Sequence, residues 1–474
     1  MEYLIDYRQT TLKELCEEYN FSVKTAWSDL QELNHMIHPV SIESDFNGIY
    51  LHIPATYSIR YIYSQLLKES KEYALIEYAF FHEAENLVEV ADYLDVSEAT
   101  LRRMITHVNE GLKEAGLKLS SSPLQLKGEP RRIFSFITFL LSEKYLYEEE
   151  YLPMRKLSIL NQLFNSVNVI KSDYLNYPDY KKLRLWVYTR AIYYRIHQKE
   201  IHYDSINPRI PEIFSFTKNQ VLYKQFEGVF GFELNENSIM FLFELFSKEH
   251  YALSYEGLLE IVEDNQQARK QRDQIIDILE QLSNIYEITL DNKEKLILDI
   301  YNMLQIKVVK PYIVYNRRQT FIKEISHHHL LFYQTTQKLI KQVFQEAGTD
   351  FVNEMIYIIL THWKGLTKKL EDKFQTISIS VLMDTDIENT EMVIEILKQR
   401  TIYKIEEFIP SSLTLDSIVK EMPKVDMVVT NIPGLEELDS KVVCIQDYPT
   451  SADLIHILEA EDYIVRKRSN DTQK

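Results

Sequence analysis

Leu12 to Asn34, LKELCEEYNFSVKTAWSDLQELN, and Leu87 to Asn109, LVEVADYLDVSEATLRRMITHVN, align without a gap at an offset of 75. Each copy opens with a capping residue and an acid three places on, Thr11 with Glu14 and Asn86 with Glu89. Such a pair can satisfy the free amides of a helix start reciprocally. Apolar residues then recur at helical spacing: Leu12, Leu15, Cys16 and Tyr19 in one copy, Leu87, Val90, Ala91 and Leu94 in the other. A break follows, Asn20-Phe21 or Asp95-Val96, whose polar member tolerates turn geometry and whose apolar member is expected to plug the core. Ser22 or Ser97 then caps a second helix with an inner face of Ala26, Leu30 and Leu33, or Leu101, Ile105 and Val108.

This is the plan of a helix-turn-helix unit, in which the second helix enters the major groove of a duplex and its first residues meet base edges. The outward positions of the first copy are Ser22, Val23, Lys24, Thr25, Trp27 and Ser28; those of the second are Ser97, Glu98, Ala99, Thr100, Arg102 and Arg103. Arginine can pair bidentately with guanine or with phosphate, and small hydroxyl residues suit mixed contacts. After each unit comes a stretch that reads as a β-wing: Val40 to Pro54 around Asn47-Gly48, and Leu117 to Gly128 followed by Arg131-Arg132. Wings commonly lie on the phosphate backbone, which marks Lys127, Arg131 and Arg132 as candidate contacts. One isolated copy could be an ordinary helical hairpin packed for stability, but repetition of the whole plan argues against that.

The formal net charge of -18 opposes binding to nucleic acid if taken over the whole chain. Locally the balance reverses: between Ser97 and Arg132 seven basic residues (Arg102, Arg103, Lys113, Lys118, Lys127, Arg131, Arg132) face four acidic ones (Glu98, Glu110, Glu114, Glu129). In the first copy Glu14, Glu17, Glu18 and Asp29 outweigh Arg8, Lys13 and Lys24, so the second is expected to supply most of the affinity. Cys16 and Cys444 are the only cysteines and match no disulfide or zinc spacing. With no signal pattern and no apolar run long enough for a bilayer, the expectation is a cytoplasmic protein without a membrane partner.

A chain of 474 residues with 10 glycines and 13 prolines points to several mainly helical domains with short connections. From about Arg132 to Glu371 helical patterns succeed one another, with breaks near Asn176-Tyr177-Pro178, Asn207-Pro208, Lys310-Pro311 and Gly348. They carry no catalytic motif. The run His327-His328-His329 reads as a solvated helix start or loop, and no metal or cofactor is expected. From about Phe374 the texture changes to buried strands at Ile377 to Met383, Ile402 to Ile409, Asp426 to Thr430 and Lys441 to Ile445, with helices at Glu388 to Gln399, Thr414 to Met422 and Ser451 to Glu459. That alternation predicts an α/β layer on a parallel sheet. The loop Met383-Asp384-Thr385-Asp386, where such folds place a ligand or nucleophile, holds neither cysteine, glycine cradle nor base.

Taken in order, these parts resemble the Mga family of virulence and global regulators of Gram-positive bacteria. The resemblance implies a first winged helix-turn-helix at 1–58, a second at 59–132, connecting helices at 133–175, two helical bundles like phosphotransferase-system regulation domains at 176–282 and 283–371, and a tail similar to enzyme IIB at 374–474. It implies a non-enzymatic regulator that binds double-stranded promoter DNA, forms a homodimer through the tail, and meets a phosphocarrier protein transiently. In the second bundle NEMIYIILTHW is similar to the helix bearing a regulatory histidine, which makes His362 the leading phosphoacceptor candidate; Asp299, in KLILDIYNML, stands where another histidine would be. In the first bundle LWVYTRAIYYRI puts Tyr188 near the expected place, with His197 as the second candidate. The tail lacks the phosphoacceptor cysteine after its first strand, and Cys444 is expected to pack within a late strand. An RNA-binding antiterminator is disfavoured because the chain begins with helices, and a phosphotransfer component because that cysteine is missing.

Overall fold

The computed structural model describes every residue except 8, 46–47, 83–85, 166–176, 198–200, 202–219, 245–249, 253, 306–311, 375–376, 401–403, 413 and 472–474. Arg8, Asn47, Asn207-Pro208 and Lys310-Pro311 therefore lie outside the described residues. The chain forms two compact units, Met1–Leu253 with Gln305–Arg317, and Ser254–Leu304 with Arg318–Lys474.

In the first unit, α1 (Glu2–Tyr7) and β1 (Gln9–Thr10) precede α2 (Leu12–Tyr19) and α3 (Val23–Met36). A hairpin of β2 (Ser41–Asp45) and β3 (Gly48–His52) follows, with β1 adding a third antiparallel strand beside β3. Gly48 has φ +132°, and a Cβ there would stand 2.3 Å from the Thr10 carbonyl oxygen. Only glycine lets β1 approach so closely. Two helices, α4 (Ile59–Glu69) and α5 (Lys71–Phe81), lead to the second copy: α6 (Leu87–Tyr93), α7 (Glu98–Leu112), and the hairpin β4 (Leu117–Ser121) with β5 (Leu124–Gly128). Next come α8 (Pro130–Lys144), α9 (Met154–Asn165), α10 (Tyr177–His197), α11 (Gln220–Phe230) and α12 (Glu236–Leu242).

The two copies are buried differently. The first has small cores of its own, Leu4, Leu15, Leu30 and Ile49 on one side and Ile37, Val40 and Ile62 on the other. The second has no separate core: Leu101, Ile105 and Val108 of α7 belong to one continuous buried cluster that runs through Phe134 and Ile137 of α8 to Tyr188 and Ile192 of α10 and Phe241 of α12.

In the second unit, α13 (Tyr255–Asp264), α14 (Gln266–Tyr286), α15 (Lys293–Gln305), α16 (Arg317–His328), α17 (Leu330–Val343), α18 (Thr349–His362) and α19 (Leu366–Phe374) form the helical part. Helix α13, with Leu258 and Val262 buried, packs against α14 within this unit. The tail is a four-stranded, all-parallel sheet in the order β7-β6-β8-β9, with β6 Ser378–Leu382, β7 Lys404–Glu407, β8 Met427–Thr430 and β9 Lys441–Cys444. Helices α20 (Ile387–Arg400), α21 (Leu415–Glu421) and α22 (Ser451–Asp471) connect or follow the strands. Cys444 departs from its expected packing: on this edge strand Val443 and Ile445 are buried and the cysteine between them is exposed. Alternate residues of a strand face opposite sides. Among the described residues no helix is long and apolar enough to cross a membrane.

Candidate nucleic-acid interface

Both turns adopt the same strained geometry. Asn20 (φ 54°) and Asp95 (φ 50°) are left-handed, a conformation in which Asn and Asp are enriched among non-glycine residues. Ser22 Oγ then accepts from the Thr25 amide at 3.1 Å and Ser97 Oγ from the Thr100 amide at 3.1 Å. The hydroxyls of each Ser-Thr pair also bond to each other, at 2.7 Å and 2.9 Å. These four residues hold the start of each probe helix. Thr11 and Glu14 form the reciprocal box, whereas Asn86 caps through the Val88 amide at 3.0 Å rather than through Glu89.

The outer faces are open. Lys24, Trp27 and Ser28 of α3 and Ala99, Thr100, Arg102 and Arg103 of α7 are all exposed, opposite buried Ala26 and Leu30 or Leu101 and Ile105. Phe21 does not plug the core as expected: it is 47% exposed and stacks on Tyr19, with ring centroids 5.9 Å apart, whereas Val96 packs against the core. Tyr19 is held at the surface with it. Arg102 meets Glu98 on its own helix, at 3.9 Å, an exposed pair that a phosphate or base could replace.

The second wing has an unusual outer face. Leu119 and Leu126 pair inward and are buried, while Lys118 stands directly across from Lys127, both exposed. Like charges opposite one another on a hairpin repel. A polyanion laid along the wing would convert that repulsion into attraction.

The two arginines after this wing are engaged within the protein. Arg131 donates from Nε to Glu244 at 2.9 Å and from Nη2 to the same oxygen, and Arg190, almost wholly buried, also pairs with Glu244. Arg132 bonds Glu129 at 3.4 Å and the Ala115 carbonyl at 3.3 Å, lying so close over Gly116 (φ +67°) that a Cβ there would stand 2.3 Å from its guanidinium. Arg132 thus ties the start of α8 to the turn before the wing, and Arg131 ties it to Glu244; both are unlike the exposed cations Arg102, Arg103, Lys118 and Lys127.

Sequence reasoning passed over the last residue of the repeat. Asn34 Oδ1 accepts from the Ile42 amide at 2.8 Å while its Nδ2 donates to the Ile42 carbonyl at 3.3 Å. Asn109 does the same to Leu119, at 2.7 Å and 3.0 Å. Each asparagine imitates a strand partner and clamps its wing to its probe helix. Its recurrence at the 75-residue offset was the available signal.

Of the two histidine candidates, His197 ends α10 half-buried, its ring 4.1 Å from that of Tyr193. Tyr188 is buried, and that burial pushes its phenol above the ordinary range. His362 ends α18 with its ring partly exposed, and its Nδ1 lies 2.7 Å from Asp299 Oδ2 on α15. The side chains of His327 and His328 lie outside the described residues.

The chain matches three family models: the M protein trans-acting positive regulator (MGA) HTH domain over residues 1–45, the Mga helix-turn-helix domain over 55–141, and the M protein trans-acting positive regulator (MGA) PRD domain over 159–366. It is 22% identical over 465 residues to a putative trans-acting regulator of Streptococcus pneumoniae serotype 4, covering 95% of this chain and 93% of that protein. It is 24% identical over 371 residues to the capsule synthesis positive regulator AcpA of Bacillus anthracis, 72% of each chain. To the anthrax toxin expression trans-acting positive regulator of the same organism it is 20% identical over 469 residues, 95% of this chain and 94% of that one.

Proposed function

We propose a mode of action for what its three matched domains make a member of the Mga family of trans-acting regulators, a DNA-binding transcription regulator. The second winged unit supplies most of the grip on promoter DNA. Helix α7 lies in the major groove with Thr100, Arg102 and Arg103 toward the bases, and Lys118 and Lys127 of the wing lie on the phosphates. The observation that carries this is the exposed like-charge pair Lys118–Lys127 beside a probe helix whose outer face is open. The first unit, acidic around α2, adds Lys24, Trp27 and Ser28 and contributes more to site choice than to affinity. In the two Bacillus anthracis relatives the printed role is positive regulation, and activation is the direction proposed for this chain.

The helical bundles receive a phosphoryl signal from a phosphotransferase-type carrier, with His362 as acceptor and His197 as a second candidate. The tail, read as enzyme IIB-like, acts in self-association, not in phosphotransfer, because the loop after its first strand, Met383 to Asp386, holds no phosphoacceptor cysteine. A gel-shift titration with promoter duplex tests the DNA reading. A complex at low salt, weakened by Arg102→Ala with Arg103→Ala, is expected; a complex indifferent to both substitutions would overturn the assignment of α7.

A further inference from the structure

We propose that Asp299 is the positioning residue of His362 and makes Nε2, not Nδ1, the atom that accepts the phosphoryl group. The inference rests on the reading of His362 as a phosphoacceptor and adds its regiochemistry and its orienting partner.

An ionised carboxylate only accepts hydrogen bonds, so the 2.7 Å contact between Asp299 Oδ2 and His362 Nδ1 requires the proton to be on Nδ1. In the neutral ring the free lone pair is then on Nε2. The backbone that carries the ring is held in place as well. Asn292 Nδ2 donates to the His362 carbonyl at 2.7 Å, and its Oδ1 accepts from the Lys364 amide at 3.1 Å. Between these two bonds Trp363 is buried, with its indole Nε1 donating to the Thr289 carbonyl at 3.0 Å. The backbone on both sides of His362 is therefore pinned to the segment before α15, while Asp299, from α15 itself, holds the inner edge of the ring. With the side chain 39% exposed, the outer edge is what a carrier protein can reach.

The chemistry balances with a carrier phosphohistidine as donor, protonated on its second ring nitrogen. Its N–P bond breaks and the electron pair returns to the donor ring, which leaves as neutral imidazole. The Nε2 lone pair of His362 forms the new N–P bond. Because Nδ1 keeps its proton, the His362 ring becomes cationic, and the Asp299 carboxylate faces that new charge. The same residue that selects the tautomer thus stabilises the product ring.

The test uses the full chain, a phosphoenolpyruvate-charged phosphohistidine carrier, and phosphorus NMR that distinguishes the two phosphohistidine isomers. The expected product is the Nε2 isomer on His362, formed in His197→Gln and absent when His362→Gln is added to it. Asp299→Ala should slow its formation by about tenfold or more and admit the Nδ1 isomer, with Asp299→Asn partly restoring Nε2 selectivity through its remaining acceptor oxygen. Label on Nδ1 in the unaltered chain, or an Asp299→Ala variant with unchanged rate and isomer, overturns the assignment of Asp299 while leaving phosphorylation intact. Absence of label from the unaltered chain, or label in His197→Gln that His362→Gln added to it does not diminish, removes His362 as acceptor and the inference with it. Unchanged circular dichroism of the variants separates these effects from misfolding.

Discussion

The carboxylate of Glu143, near the end of α8, accepts the amide of Val314 at 3.0 Å across a sequence separation of 171 residues. The amides of Ile313 (2.7 Å) and Tyr315 (3.1 Å) converge on the same group. A buried side chain thereby satisfies three consecutive donors that no helix or strand uses. Burial pushes the Glu143 carboxyl above the ordinary range, although the three amides pull it down. An acid raised in the folded state stabilises fully at pH below its unfolded value, and that contribution fades as pH rises through the folded value. Glu143→Ala is expected to cost about 3 kcal/mol locally. Hydrogen exchange of residues 312–315 should show the gap between the two proteins narrowing from mildly acidic to neutral pH; a gap that widens would contradict the burial argument.

Lys118→Ala or Lys127→Ala is expected to weaken binding alike on specific and unrelated duplexes. Each should lower the slope of log affinity against log salt by about 0.9, since one counterion fewer is released. Fluorescence anisotropy between about 50 and about 200 mM salt reads this directly. Loss confined to one sequence would instead place the lysines on bases.

Asn109→Ala should detach the second wing from α7. Two hydrogen bonds to Leu119 are lost together, worth about 1–3 kcal/mol, and DNA affinity should fall although no cation has been removed. Asn109→Asp sets a carboxylate against the Leu119 carbonyl and should be no better than alanine. Thermal melting and duplex titration of both variants check the ranking.

Glu244 serves Arg131 and Arg190 at once. Burial raises its carboxyl, but the two guanidinium groups outweigh burial and hold it below the ordinary range. The stability it supplies is therefore present above the unfolded carboxylate value and lost as pH falls through the depressed one. Glu244→Ala strips the carboxylate from Arg190, which lies against Phe134 and Phe241, and should cost about 3–5 kcal/mol. Chemical denaturation in the neutral range measures it; Arg131→Ala, which removes only the more exposed partner, should cost far less.

Much of this was readable without coordinates because it is local. The left-handed turns at Asn20 and Asp95, the serine caps, both wings and the four parallel strands follow from spacing over a few residues. Pairings across long stretches of chain were not readable. Nothing near Asp299 in the sequence marks it as the partner of His362, and nothing near Arg131 marks Glu244 as its anchor. Phe21 failed for another reason: an apolar residue in a turn can stack on an exposed neighbour, here Tyr19, as readily as fill a core.

The continuous core joining α7 to α10 and α12 has a mechanical consequence. The second winged unit shares its buried core with the bundle helices, so its pitch follows theirs. For any assembly that pairs two copies of the chain, rotational phase along the duplex then becomes part of the code. Displacing one half-site by half a helical turn, about 5 base pairs, should harm recognition more than altering a base within it.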